Sequence, residues 1–140
     1  MVPLQKSKTV SANLVPAPKR QLMLPRYAGP YMLQMESSIY DLMSTLCRTY
    51  SFGYWHMYEL SNGGFYMAPS DRSRTYDLYW QGNMFSDTLS GDAAGIVACL
   101  FAYSAMLEKT RDQRFDKLYW ALRDFAHCHP ESCLIYRAID

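Results

Sequence analysis

The stretch YWHMYELSNGGFYMAP, Tyr54 to Pro69, constrains this chain more than any other. Successive side chains of an extended strand point to opposite faces, and Tyr54 to Leu60 and Phe65 to Pro69 are both rich in the aromatic residues that suit a strand. Between them, Asn62-Gly63 is a dipeptide that tolerates the positive φ angles of a two-residue type I′ turn. The expectation is an antiparallel hairpin with Leu60 opposite Phe65, Glu59 opposite Tyr66 and Tyr58 opposite Met67. One face then carries Tyr54, His56, Tyr58, Leu60, Phe65 and Met67 and is expected to be core. The other carries Trp55, Met57, Glu59, Tyr66 and Ala68, where an acid among aromatics marks a candidate surface. A three-residue Asn-Gly-Gly loop slips the register by one and stands as the alternative.

Around this hairpin the periodicity changes. Met32, Met35, Ile39, Leu42, Met43, Leu46 and Tyr50 recur every three or four residues, which predicts an amphipathic helix from Tyr31 to Tyr50. Ser51-Phe52-Gly53 ends it. After the hairpin, YDLYWQG alternates with Tyr76, Leu78 and Trp80 on one side and is expected to be a third antiparallel strand, followed by a loop from Gly82 to Leu89. Ser90 is a good N-cap for the helix beginning GDAAGIVACLF, with Asp92 at the positive end of its dipole. That helix is apolar nearly all round and is expected to lie buried at the centre of the fold. A further helix runs from Arg111 to His127 with Phe115, Leu118, Tyr119, Leu122 and Phe125 as its stripe. Pro130 suits the first turn of a last one, Glu131 to Ala138. Residues 1–24 are polar and Pro-rich and read as a partly docked arm. Residues 25–140 read as a single α+β domain: a small antiparallel sheet of about three strands, built on the central hairpin and packed with four or so helices.

Composition narrows the function. With 49% hydrophobic and 15% aromatic residues in 140, the chain is long and apolar enough for one real core. Its net charge of +1 excludes both a strongly basic nucleic-acid binder and an acidic DNA mimic. The charge is uneven, because Lys6, Lys8, Lys19, Arg20 and Arg26 all precede the first acid, Glu36. No apolar run of leader-peptide length follows those bases, so a cytoplasmic location is expected. The longest apolar run, Ala93 to Leu107, falls short of the roughly 20 residues that span a bilayer, and no membrane association is expected. The cysteines Cys47, Cys99, Cys128 and Cys133 are expected to be reduced thiols.

Motifs for catalysis are weak. HCHPESC, with His127, Cys128, His129 and Cys133, holds ligand-type residues within one short stretch, whereas zinc sites are built from two separated pairs; no metal or other cofactor is expected. Ser90 with His56 and Asp92 lacks the G-x-S-x-G elbow of a hydrolase. Asn62-Gly63-Gly64 precedes a strand and lacks the third glycine of a dinucleotide loop. No enzyme activity is expected. Polar residues among surface aromatics instead suit a protein interface.

The segments LVPAPKRQLMLPRYAGPYMLQMES, GYWHMYELSNGGFYMAP, LSGDAAGIVACLFA and IYRAID, in this order, resemble the ArdB/KlcA antirestriction family of plasmids, phages and genomic islands. The similarity spans nearly all of the chain beyond the first ten residues. It departs at Phe52-Gly53, where the family tends to have two glycines. The resemblance implies an antirestriction protein that protects incoming mobile-element DNA by inhibiting host type I restriction-modification enzymes, blocking cleavage or translocation without preventing modification. Thirteen dispersed acids offset by fourteen bases cannot present carboxylates at phosphate spacing, so contact with the restriction complex or an associated host factor is expected rather than DNA mimicry.

Carried over by position, the resemblance marks Arg20, Glu36, Trp55, Glu59, Tyr66, Arg137 and Asp140 as partner-contact candidates. Asn62, Gly63, Gly64, Ser90 and Asp92 are explained by the turn and the helix start. With the arm folded along the first helix, Arg20 is expected to reach Glu36, with Trp55 beside them on the sheet surface. The alternative function is a weak nucleic-acid-binding accessory role for the basic arm. Its five cations would lose roughly 0.9 log units of affinity per log unit of salt for each phosphate contacted.

Overall fold

The structure, a computed structural model, describes residues 9–140. Of the expected arm, residues 1–8, with Lys6 and Lys8, lie outside the described residues. Strand β1 (Ala12–Leu14) pairs antiparallel with β2 (Trp55–Leu60), and β2 with β3 (Phe65–Pro69). The chain after β1 buries Val15, passes through a 3₁₀ turn (Ala17–Leu22), and forms a short helix α1 (Met23–Ala28) that buries Met23. Helix α2 (Met32–Leu46) follows. It is shorter than the expected Tyr31–Tyr50 because Cys47 turns extended and Thr49 and Tyr50 leave the helix.

The hairpin is present, but its register is not the one expected from a two-residue turn. Glu59 faces Phe65, Tyr58 faces Tyr66 and Met57 faces Met67. The loop is Ser61-Asn62-Gly63: Leu60 N–H donates to Gly64 O (2.9 Å) and Gly63 N–H to Leu60 O (3.0 Å), with Gly63 at φ 87°. A turn closed by a residue of positive φ is the common three-residue hairpin. The slip is opposite to the one an Asn-Gly-Gly loop produces. Tertiary contact selects it, since Asn62 Nδ2 donates to Ala121 O of helix α4 (Gln113–His127) at 2.8 Å.

The two β2 faces also exchange their expected roles. Trp55 and Met57 are buried with Met67 and Phe65, whereas Tyr54 is exposed and His56 and Tyr58 are half-buried. The helices decide this: Tyr40 of α2 meets Trp55 edge-on (5.2 Å) and Tyr27 of α1 stacks on Phe65 (4.8 Å), so they cover the Trp55 face. Helix α4 covers only the turn end of the other face, through Ala121 and Phe125.

Helix α3 (Gly91–Thr110) is the buried centre of the fold, and Ser90 caps it by accepting from Ala93 N–H (3.1 Å). By length and composition it is apolar enough to cross a membrane, yet two thirds of its most apolar window (67%) is buried by neighbouring elements. It lies along the outer edge of β3, a place where an unpaired strand edge needs cover. There Met67 N–H meets Cys99 Sγ (3.4 Å) and Phe65 O accepts the Tyr103 hydroxyl. Such proximity requires Gly95: a Cβ there would sit 2.4 Å from Met67 O and 2.5 Å from Ala68 Cα.

The expected third strand does not join the hairpin sheet. β4 (Thr75–Trp80) pairs with β5 (Phe85–Ser90) as a separate two-stranded sheet. Most of the segment expected as a loop, Gly82 to Leu89, is therefore strand β5, anchored by buried Phe85 and Leu89. Helices α4 and α5 (Ser132–Ile139) complete a mixed α+β architecture of five α-helices and two small sheets among the described residues.

Candidate functional site

The residues marked by sequence fall into separate neighbourhoods. Around the entry to β2, the Arg20 guanidinium lies over the Tyr54 ring, 4.6 Å from its centroid, and Arg20 Nη1 is buried without a hydrogen-bond partner. Tyr54 is 56% exposed and its neighbour Phe52 92% exposed. Arg20 and Glu36 do not form an ion pair. They flank Tyr40 instead: burial chiefly pushes its hydroxyl up to about 12, Glu36 adds to the rise and Arg20 opposes it. Tyr40 was not among the expected site residues, although it stands four residues after Glu36 and so on the same helix face.

Trp55 is not the exposed anchor expected of it. At 2% exposure it is a core residue, with Nε1 donating to the Tyr50 hydroxyl at 2.8 Å and Tyr40 and Tyr50 both edge-on to its ring. Its link to Arg20 and Glu36 runs through Tyr40 rather than through a shared surface.

Glu59 lies on the Trp55 side of the sheet, where it accepts from Arg26 Nη1 (3.0 Å) and from the Tyr27 hydroxyl. The Tyr27 hydrogen bond first, and Arg26 after it, hold the Glu59 carboxyl below the ordinary range. Burial, then Glu59, pushes the Tyr27 phenol up to about 12. This cluster ties α1 to the sheet.

On the opposite sheet face Tyr66 is buried and donates to Asp92 Oδ1 (2.8 Å). Burial, reinforced by that carboxylate, drives the Tyr66 pKa far above the ordinary phenol value. Asp92 Oδ2 meets His129 Nε2 at 2.8 Å, and His129 Nδ1 accepts from Glu131 N–H at 3.0 Å. Glu131 in turn accepts from Ser90 N–H (2.9 Å) and from the Ser90 hydroxyl. Ser90 is thus held in a cap, not poised as a nucleophile, and His56 stacks between Tyr54 and Tyr58 instead of approaching it. Of HCHPESC, His129 and Glu131 enter this network. Cys128 and Cys133 are exposed, and among the described residues no group of three or more His, Cys, Asp or Glu is placed to hold a metal.

Arg137 and Asp140 sit on α5 and at the chain end. Arg137 lies over the Phe85 ring (5.6 Å) and 3.4 Å from Asp87, and Asp140 is 3.5 Å from Arg123. Asn62 and Gly63 lie in the turn and Gly64 pairs with Leu60 just beyond it, so close to α4 that a Cβ on Gly64 would lie 2.8 Å from that of Ala121.

The outward face of β2 joins two of these neighbourhoods. Tyr54, His56, Tyr58, Tyr66, Phe125 and His129 follow one another with ring centroids 4.8–6.2 Å apart, a continuous aromatic ladder from Arg20 to Asp92. A family model described as antirestriction protein matches residues 48–140, which contain all of this ladder. An antirestriction protein KlcA of Escherichia coli is 44% identical over 94% of this chain and 95% of its own length, and a second KlcA of that organism is 42% identical over the full length of both.

The chain belongs to the antirestriction protein family.

Its fold agrees. A solved structure of the KlcA and ArdB proteins superposes with a TM-score of 0.86 at 45% identity, over 94% of this chain and 95% of that one. That fold was described as novel, and those proteins as having antirestriction activity against type I DNA restriction systems in vivo but not in vitro. In this chain the fold carries an aromatic face, a buried tryptophan and an arginine stacked at the surface.

Proposed function

We propose that this chain inhibits host type I restriction-modification enzymes through protein contact and is not an enzyme. The observation that carries the contact mechanism is the occupation of its carboxylates. Five of its thirteen carboxylates, Glu59, Asp87, Asp112, Glu131 and Asp140, are held by cations or caps of the same chain, and fourteen bases offset the whole set. A DNA mimic needs free carboxylates in a row at phosphate spacing. The relatives' activity in vivo but not in vitro favours a partner that exists only in the cell, either the assembled restriction complex at work or an associated host factor.

The contact surface is Arg20, Tyr54 and Phe52, with Glu36 and Tyr40 behind them. Exposed aromatics beside an arginine are the composition of interface anchors. The basic-arm alternative is weakened, because Arg26 is paired with Glu59. The test is plating efficiency of unmodified phage on cells with an active type I system. The wild-type chain raises it, whereas Arg20→Glu and Tyr54→Ala reduce it with circular dichroism and soluble yield unchanged. A folded wild-type chain without protection refutes the function. Folded variants with full protection refute the surface, and a gel shift of DNA that persists at moderate salt restores the nucleic-acid alternative.

A further inference from the structure

A cleft of about 480 Å³ opens beside the aromatic ladder, bounded by His56 and Tyr58 of β2, Tyr66 of β3, Asp71 and Arg72 of the turn after β3, Phe125 of α4 and the start of α3. Its volume lies within the range of binding pockets, and mostly aromatic walls with a few convergent polar groups are their usual lining. The polar group that matters is Asp92. Its two hydrogen-bond partners are the Tyr66 phenol and His129, whose Nδ1 accepts from Glu131 N–H and whose Nε2 faces the carboxylate. The Asp92 side chain is 38% exposed. Among the described residues no Lys or Arg pairs with it. Arg72 also lines the cleft, without an ion pair to Asp92.

These features select the sign of the ligand. A helix start ordinarily attracts an anion, but here Asp92 lies in the first turn of α3 and Glu131 takes the Ser90 N–H. An anion entering the cleft would meet two lining carboxylates, Asp71 and Asp92, against one cation, Arg72. A guanidinium finds the reverse: a carboxylate at the base and aromatic faces at the sides, the arrangement in which cation–π attraction adds to an ion pair. Arg suits such walls better than Lys because its planar group stacks.

We propose that this cleft receives an arginine side chain of a protein partner, with Asp92 as the ion-pair acceptor and Tyr58 as the stacking wall. That this arginine belongs to the restriction machinery rests on the function proposed above; the cleft's affinity for a guanidinium does not. Titration of the labelled chain with N-acetyl-arginine amide, followed by amide chemical shifts, is expected to give saturable changes at Tyr58, Gly91 and Asp92 in the millimolar range. The neutral isostere N-acetyl-citrulline amide and inorganic phosphate are expected to give none. Asp92→Asn should weaken binding at least tenfold. Tyr58→Ala, at a half-buried position outside the core, should do the same and carries the test if Asp92→Asn does not fold. Absence of saturation, equal binding of citrulline, phosphate binding in the cleft, or wild-type affinity in both folded variants overturns the proposal. In phage plating, a folded variant that no longer binds arginine yet protects fully overturns the assignment of the arginine to the restriction partner. A wild-type chain that binds arginine without protecting would refute the antirestriction function and support the cleft.

Discussion

Gly95→Ala should destabilise this protein even though it places the best helix former in the middle of its central helix. In an exposed helix the exchange stabilises by about 1 kcal/mol. At this position the new Cβ would lie 2.4 Å from Met67 O and 2.5 Å from both Ala68 Cα and Cβ. Ordinary contacts are about 3.5–4 Å, so the methyl is roughly 1 Å too close to backbone on the facing strand, which has no rotamer to change. Relief requires α3 to retreat from the β3 edge, which stretches the Cys99 contact with Met67 and the Tyr103 hydrogen bond to Phe65 O. Overpacking of this kind costs about 1–3 kcal/mol, and backbone atoms at the clash place it at the upper end. The net loss is about 1–2 kcal/mol, equivalent to a melting temperature lower by about 3–8 °C for a chain of this size. Urea and thermal unfolding measure it. Ala105→Gly, at an exposed position of the same helix, is the control and should cost about 1 kcal/mol through propensity alone. A Gly95→Ala variant as stable as wild type, or more so, would refute the close contact between α3 and β3.

Three further outcomes follow from the same coordinates. Trp55→Ala should cost about 3–5 kcal/mol, the usual loss for a large buried aromatic, so any loss of phage protection should coincide with loss of soluble protein; an inactive but fully stable variant would contradict its burial. Thiol titration of the native chain should label Cys128 and Cys133 quickly and leave Cys47 and Cys99 unreactive until denaturant is added, since burial pushes the Cys99 thiol up to about 12; four fast thiols would contradict this. Glu59 and Tyr27 should shape opposite ends of the pH–stability curve. The depressed Glu59 carboxyl contributes stability that is present above about pH 4.3 and lost as pH falls through its folded value. The raised Tyr27 phenol contributes stability present below about pH 10 and lost as pH rises toward 12. Glu59→Gln should flatten the acid limb and Tyr27→Phe the alkaline one, and unchanged limbs would refute the pair.

Much of the local structure is legible in the sequence alone. The hairpin, the Ser90 cap, the burial of Ala93 to Leu107 and the stripe of α4 all follow from short-range chemistry: turn residues, capping oxygens and apolar spacing act within a few residues of themselves. The fold class was legible for the same reason. What the local pattern left open was choices of equal local cost. Both faces of β2 are aromatic, so alternation alone cannot say which is covered; α1 and α2 decide it by placing Tyr27 and Tyr40 against Phe65 and Trp55. The hairpin register turned on whether Asn62 reaches Ala121, which lies on an element distant in sequence. FSDTLS reads as a loop until β4 supplies its partner. The Tyr66–Asp92–His129 network joins three elements that share no sequence spacing, and its charge balance exists only once the fold has brought them within hydrogen-bond distance. Periodicity specifies what each segment is able to bury; only the meeting of segments specifies what it does bury, because burial is a property of the pair.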